Sequence, residues 1–313
     1  MFFLLLLVIF FIGFCLMENY LHRRNLGSIP IRIQVNGTRG KSSVTRLIAA
    51  GLRAGGLRVV AKVTGTRPRF IVGDREEYPV RRIGRANIAE ELRIVRLAKS
   101  RKAQALVIEC MALVPYYQWV ENRLLVRPTH GVITNVRADH LDVMGPTVAD
   151  VGRALANTIP RHGRFFTAER GGLLKVLRSA VPSGVEVTVT DPATVTDAEM
   201  AGFGYVEHKE NVALALAVGI ALLIEYLDNT IKTTDEVSQI LEMPTLATIP
   251  RFGKKHEEYP QKLIAYLDPG APASEQYRML RTNLVFSSNG TACNSYVITS
   301  PGPSEGKSVV AAN

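Results

Sequence analysis

Residues 31–56, IRIQVNGTRGKSSVTRLIAAGLRAGG, constrain this chain more than any other segment. Ile31, Ile33 and Val35 alternate as in a short strand, a turn runs from Asn36 to Gly40, and Lys41-Ser42-Ser43 opens an apolar helix that closes at Gly55-Gly56. A second strand is expected over Arg58–Val63. This order of strand, loop, helix and strand gives a GKS triplet its meaning as a phosphate loop. Glycines let backbone N–H groups converge on phosphate oxygens, and the helix N-terminus adds a favourable dipole. Lys41 is expected to reach the terminal phosphates and the Ser42 hydroxyl to sit on Mg²⁺. Asn36, Gly37, Thr38, Arg39, Gly40, Lys41, Ser42 and Ser43 are therefore the expected ATP-binding set. An α/β fold with a mostly parallel sheet follows, its site at the strands' C-terminal ends.

A chain of 313 residues exceeds one compact core and suits two domains or more. With 47% apolar and 21% charged residues of both signs it is globular, not disordered. Cys15, Cys110 and Cys293 are too scattered for a disulfide scaffold or a metal knuckle. One tryptophan and 7% aromatics leave little for stacking bases, and no recognition motif is present, so nucleic acid is not an expected partner. The net charge of +10 then calls for phosphates, a polyanionic substrate or an anionic membrane face.

Met1 to Met17 is an unbroken apolar run. It is just long enough to span a bilayer, which takes about 17 to 25 such residues. A signal peptide should begin with basic residues and end in a small-x-small cleavage site, and neither is there. The charge falls after the run, at His22, Arg23, Arg24 and Arg32. That places a single N-terminal pass in the cell membrane and the body of the chain in the cytoplasm. Residues 1–21 are accordingly read as an anchor.

Two glycines separated by only two residues, in Gly37-Thr38-Arg39-Gly40-Lys41-Ser42, make a compressed loop. This form resembles the loop of the Mur ligase superfamily, the ATP-dependent amide-bond ligases. Leu106–Met111, an apolar strand ending in Glu109, and Gly131–Asp142, which resembles the family's TN…DHLD signature, follow in the family's order. The resemblance implies that Glu109 and His140, with Ser42, hold Mg²⁺ at the γ-phosphate, and that Lys41, Glu109 and His140 carry catalysis. AKVTGTRPRFI, GRANIAEELRIV, VIECMALVPYYQ and GVITNVRADHLDVMGPTVADV are similar to one branch in particular, the membrane-anchored ligase subunits of poly-γ-glutamate synthases. In the Glu207–Ala213 stretch the same resemblance implies Asn211 as an adenine contact. No carbamylated lysine aligns; Lys175 and Lys209 are the candidates. Residues 28–221 are read as this ATP-binding domain.

The resemblance ends near Ile220. Residues 222–272 read as a helix and a polar linker, and 273–313 as a truncated P-loop segment: an amphipathic helix, a strand at Ser295–Ser300, and a second loop at Gly306, Lys307 and Ser308. EYLDNTIKT, the E-x-Y-R-x-L-R-T-N helix and TSPGPSEGKS resemble the tyrosine autokinases and chain-length regulators of exopolysaccharide export. Only five residues follow Ser308, so the second loop is expected to be a remnant. Val212–Ile224 is expected to be a core helix, being short for a second crossing.

The expected activity is amide ligation. ATP and Mg²⁺ phosphorylate the terminal carboxylate of poly-γ-glutamate, and the amine of the next glutamate displaces the phosphate. Other membrane subunits of a capsule synthase or exporter are the implied partners. The family's third domain, which holds the incoming amino acid, finds no counterpart, so the isolated chain is expected to bind ATP but to ligate poorly. The rival expectation is a membrane-tethered, non-catalytic nucleotide-binding regulator of capsule or exopolysaccharide export.

Overall fold

The computed structural model describes residues 2–65, 67–73, 76–82, 84, 86–227, 234–250, 263–287, 295–300, 302–303 and 305–313. They fall into two units, Met1–Leu227 and Asp228–Asn313.

The first unit is built on eight strands: β1 (Ile31–Asn36), β2 (Val59–Val63), β3 (Arg69–Ile71), β4 (Glu77–Pro79), β5 (Ala105–Glu109), β6 (His130–Ile133), β7 (Gly163–Thr167) and β8 (Val185–Val189). Their order across the sheet is β4-β3-β2-β5-β1-β6-β7-β8. Every pairing is parallel except β2–β3 and β3–β4, which form an antiparallel edge. β2, β5 and β6 are buried along their whole length, as strands covered on both faces must be.

Helices supply that cover. They are α1 (Phe2–Gly27), α2 (Lys41–Ala54), α3 (Glu90–Ser100), α4 (Pro115–Val120, continuing as a π-helix over Glu121–Val126), α5 (Leu141–Met144), α6 (Val148–Leu155), α7 (Gly171–Ser179), α8 (Asp197–Ala201) and α9 (Lys209–Leu227). Val44, Ile48 and Leu52 of α2 pack with Leu214, Val218 and Leu222 of α9 against Val35 and Val107. A second cluster joins Leu26 and Ile29 to Ile94 and Val95 of α3 and to Leu106 and Ile108. A third gathers Val151, Leu155 and Leu177 around Ile133 and Phe165. Each such side chain contributes about 1.5–3 kcal/mol on burial.

Among the described residues two helices, α1 and α9, are long and apolar enough to cross a membrane. Residues 2–21 of α1 are exposed throughout, whereas His22, Asn25 and Leu26 are buried against the domain. On α9 one face joins the core as expected, while Ile220, Leu223 and Ile224 are exposed.

The second unit contains α10 (Thr234–Leu241), α11 (Ile264–Leu267), α12 (Pro272–Ser287) and α13 (Lys307–Ala312). Ile264, Ala273 and Tyr277 form its small core. The expected helix over 274–284 lies within α12. The strand expected at Ser295–Ser300 is not formed; the stretch is irregular. A strand needs a partner for its N–H and C=O groups, and no strand lies among the described residues of this unit. Most of the expected linker, residues 251–262, and Asp228–Thr233 of the EYLDNTIKT motif lie outside the described residues.

Candidate active site

The phosphate loop leaves the C-terminal end of β1, which lies at the centre of the sheet between β5 and β6. Gly37 has φ 133° and Gly40 φ 81°, both in the region that disfavours a side chain. A Cβ on Gly37 would lie 2.0 Å from Thr134 Oγ1, and one on Gly40 2.5 Å from Asn211 Oδ1. Gly40 is the N-cap of α2, and no side chain caps this helix. Its first N–H groups are therefore left for an external acceptor, with the helix dipole behind them.

Lys41 folds back so that Nζ donates to Gly37 O at 2.7 Å. Ser42 Oγ donates to Glu109 Oε2 at 2.7 Å, and the same oxygen accepts the Thr64 N–H at 2.7 Å. Glu109 is the last residue of β5 and is buried. Glu109 and Ser42 are thus joined by a direct hydrogen bond. Lys41 and Glu109 line one cavity of about 190 Å³, together with Asn36, Gly37, Thr38, Asp139 and His140. His140 caps α5 in a left-handed conformation, φ 48°, beside Asp139 at 3.7 Å.

Other expected residues support the loop from behind. The Asn36 side chain is buried and donates to Gln118 Oε1 and Thr158 Oγ1, at 3.1 and 3.3 Å. Thr38 Oγ1 and the Arg39 N–H both donate to Asn135 Oδ1, at 2.7 and 3.0 Å. Ser43 is half-buried in the first turn of α2. Asn211, near the start of α9, is buried against Gly40 and donates to Glu207 Oε1 at 2.6 Å. Sequence reasoning did not single out Thr64, Thr134 or Asn135 for roles of their own. Thr134 Oγ1 and Asn135 Nδ2 donate to Arg39 O, at 2.7 and 3.1 Å, and so fasten the loop to the end of β6. The only signal was the TN pair inside the signature already quoted.

In the second unit Gly306 also caps its helix with φ 89°, and Lys307 Nζ donates to Gly302 O at 2.6 Å. Ser308 lies in the first turn of α13, which has only six residues.

Glu109 Oε2 and Ser42 Oγ are hard oxygen donors beside a phosphate-binding loop, the kind of partial set that Mg²⁺ accepts when substrate phosphates and water complete its shell. These two residues fit the ion. His140 lines the same cavity, but no group of three or more His, Cys, Asp or Glu side chains that could hold a metal occurs among the described residues.

Beneath the loop is a buried polar layer. Glu121, on the π-helix, accepts from Gln34 Nε2 at 3.3 Å, while its other carboxylate oxygen has no partner. Burial, reinforced by the nearby Glu91, pushes its pKa up to about 8. The folded state thus keeps a proton that the unfolded chain gives up above the usual carboxylate range. Stability contributed by this site is present in acid and is lost as pH rises from about 4.5 to about 8. Urea midpoints should fall across that window, and Glu121→Gln should flatten the fall. An unchanged slope in the variant would place the titration elsewhere.

Residues 35–165 match the model of the Mur ligase middle domain. This part of the chain is a Mur ligase middle domain. Curated relatives extend the likeness. The capsule biosynthesis protein CapB of Bacillus anthracis is 38% identical over 231 residues, 71% of this chain and 50% of that protein. The PGA synthase CapB of Bacillus subtilis strain 168 is 37% identical over 220 residues, 70% of this chain and 56% of that protein. The tyrosine-protein kinase YwqD of Bacillus subtilis strain 168 is 47% identical over 53 residues, 17% of this chain and 22% of the kinase. The chain spans about half the length of the two CapB relatives. The Mur ligase middle domain holds Lys41, Ser42, Glu109, Asn135 and His140, whereas Asn211 lies outside the matched residues.

Proposed function

We propose that the chain is an ATP-dependent γ-glutamyl ligase of poly-γ-glutamate capsule synthesis, anchored in the cell membrane by residues 1–21, with its ATP-binding domain, residues 28–221, in the cytoplasm. Glutamate and the polymer are its substrates, and other membrane subunits of the synthase its partners. The name PGA synthase of the Bacillus subtilis relative supplies the polymer, and that of the Bacillus anthracis relative the capsule. The observation that carries the reading is the uncapped N-terminus of α2 with Lys41 beside it and the Ser42–Glu109 pair at its rim.

A carboxylate oxygen at the polymer's end attacks the γ-phosphorus of ATP, and ADP leaves with the electron pair of the broken P–O bond. The amine nitrogen of the incoming glutamate then attacks the acyl carbon, phosphate departs, and the amine loses a proton. Loop N–H groups and Lys41 hold the phosphates and oppose the charge that shifts during transfer. Ser42 and Glu109, with His140 beside them, would hold Mg²⁺, which supplies charge neutralisation at the phosphates. Asn211, packed against Gly40, would orient the nucleotide's base, the role that the family resemblance assigns it.

Positional isotope exchange in ¹⁸O-labelled ATP isolates the first half-reaction, which needs the polymer but no incoming amine. Exchange that depends on poly-γ-glutamate and Mg²⁺ is the expected result. ATP binding without polymer-dependent exchange would favour the non-catalytic regulator, to which the second loop at Gly306-Lys307-Ser308 lends its support. Deleting residues 1–17 should move the protein from the membrane fraction to the soluble one with its fold retained. A pelleted, folded deletion product would point to the exposed face of α9 instead.

A further inference from the structure

Beside the point where α1 meets the domain lies a groove of about 470 Å³ lined by Arg23, Arg32, Arg123, Arg127, Arg161 and His162. No carboxylate is among its lining residues. An adjoining cavity of about 480 Å³ shares four of these arginines and reaches along α1 to Cys15, with Trp119 and Leu124 on its wall.

The arginines are differently committed. Arg32 is spent on the protein, donating to the carbonyls of Ile29 at 2.6 Å and Arg127 at 2.9 Å. Arg123 is not: its Nε and Nη1 are buried and have no hydrogen-bond partner. Burial and the neighbouring Arg161 both disfavour its charge. Arg127 and Arg161 are exposed and form no ion pair with a carboxylate among the described residues. Buried donors without partners are costly, and like charges gathered around them add to the cost. An anion in the groove would remove both penalties.

Position identifies the anion. The apolar run ends at Met17, and Arg23 follows about six residues on, roughly 9 Å along the helix at 1.5 Å per residue. That is the depth of the polar headgroup layer next to a hydrocarbon core of about 30 Å. Trp119 and Tyr116 stack with ring centroids 6.2 Å apart, and both are exposed, as aromatic residues are at membrane interfaces. The π-helix that carries Arg123 is itself a departure from regular geometry of the sort found at binding sites.

We propose that this groove binds the phosphate of an anionic phospholipid headgroup and so seats the domain against the leaflet from which α1 emerges. The proposal rests on reading α1 as a membrane anchor.

Trp119 is the chain's single tryptophan and lines the adjoining cavity, which shares Arg23, Arg123, Arg127 and Arg161 with the groove, so its emission reports occupancy. The full chain in neutral detergent is titrated with dihexanoylphosphatidylglycerol, dihexanoylphosphatidylcholine, inorganic phosphate and poly-γ-glutamate. A saturable change with the anionic lipid, at least tenfold weaker with the other three, is expected. Arg123→Gln should weaken it at least tenfold. The exposed pair Arg127→Gln/Arg161→Gln should do the same while leaving ATP binding unchanged, which guards against a folding defect in the first variant. Equal responses to both lipids, or affinity untouched by the variants, would overturn the site. Inorganic phosphate binding as tightly as the lipid would overturn the lipid as its source, and tighter binding of poly-γ-glutamate would reassign the groove to the polymer. Alkaline carbonate extraction of native membranes tests the anchor separately: release of the chain would sink that reading, whatever the titration returns.

Discussion

Lys41→Ala should weaken ATP binding on the order of a hundredfold in a calorimetric titration, whereas Lys307→Ala should change it by less than twofold. Charge-assisted hydrogen bonds contribute about 1.5–3 kcal/mol each, and Lys41 is placed to make more than one to the phosphates. A factor of ten corresponds to about 1.4 kcal/mol, so two such bonds account for the loss. The free-state bond to Gly37 O offsets little of it, because that carbonyl can turn to water. Lys307 makes a similar bond to Gly302 O, but its surroundings differ. The first loop is fastened to β6 through Thr134 and Asn135 and rises from a strand paired on both sides. The second follows an irregular segment and precedes a six-residue helix, too little framework to hold converging N–H groups in place. Equal losses from the two substitutions would overturn this ranking of the loops.

A larger effect on stability is expected at a residue far from any ligand. Lys62, on β2, is fully buried, and its Nζ pairs with Glu91, lies 3.5 Å from Glu90 Oε2 and donates to Met111 Sδ at 3.4 Å. Three protons meet three partners. Glu91 is also fully buried, and desolvation raises its pKa against the pull of Lys62. Truncating Lys62 leaves that carboxyl alone in the interior, a change that costs about 3–5 kcal/mol where buried pairs have been broken. Lys62→Ala should therefore unfold at a markedly lower urea concentration. The double variant Lys62→Met/Glu91→Leu, which removes both charges at similar volume, should recover most of the loss. A double variant no better than the single one would mean that the lysine's packing matters more than its charge. The site has a stake in this, because Thr64, just past the end of β2, donates the N–H that holds Glu109.

Much of this could be read from the chain itself, and the parts that could not share a cause. The strand before Gly37, the helix after Gly40 and the strand ending in Glu109 announce themselves locally, through alternating or continuous apolar runs bounded by glycines and a carboxylate. The antiparallel pair β3–β4 joins strands close in sequence, yet short runs such as RFI or EYP carry no period to detect. Lys62 reads as an ordinary polar break in a strand; only the approach of α3 turns it into the centre of a buried ion cluster. Ion pairs made across the fold leave no local mark either: Arg46 and Arg69 pair with Glu77, and Arg82 with Glu90. At Ser295–Ser300 the local pattern favoured a strand, and no strand lies among the described residues of its unit to pair with it.

The last turns of α1 have a mechanical meaning. His22 Nε2 is bonded to Leu125 O at 2.9 Å, Leu26 is inside the core, and β1 begins four residues after the helix ends. A domain on a flexible leash tumbles and samples every heading. Here leash and domain are one lever, so whatever tilt the helix adopts is passed directly to the sheet. The mouth beside Lys41 then keeps a constant bearing to the axis of α1, and under the function proposed above a polymer end lengthened there would emerge along one repeatable line instead of a cone of directions.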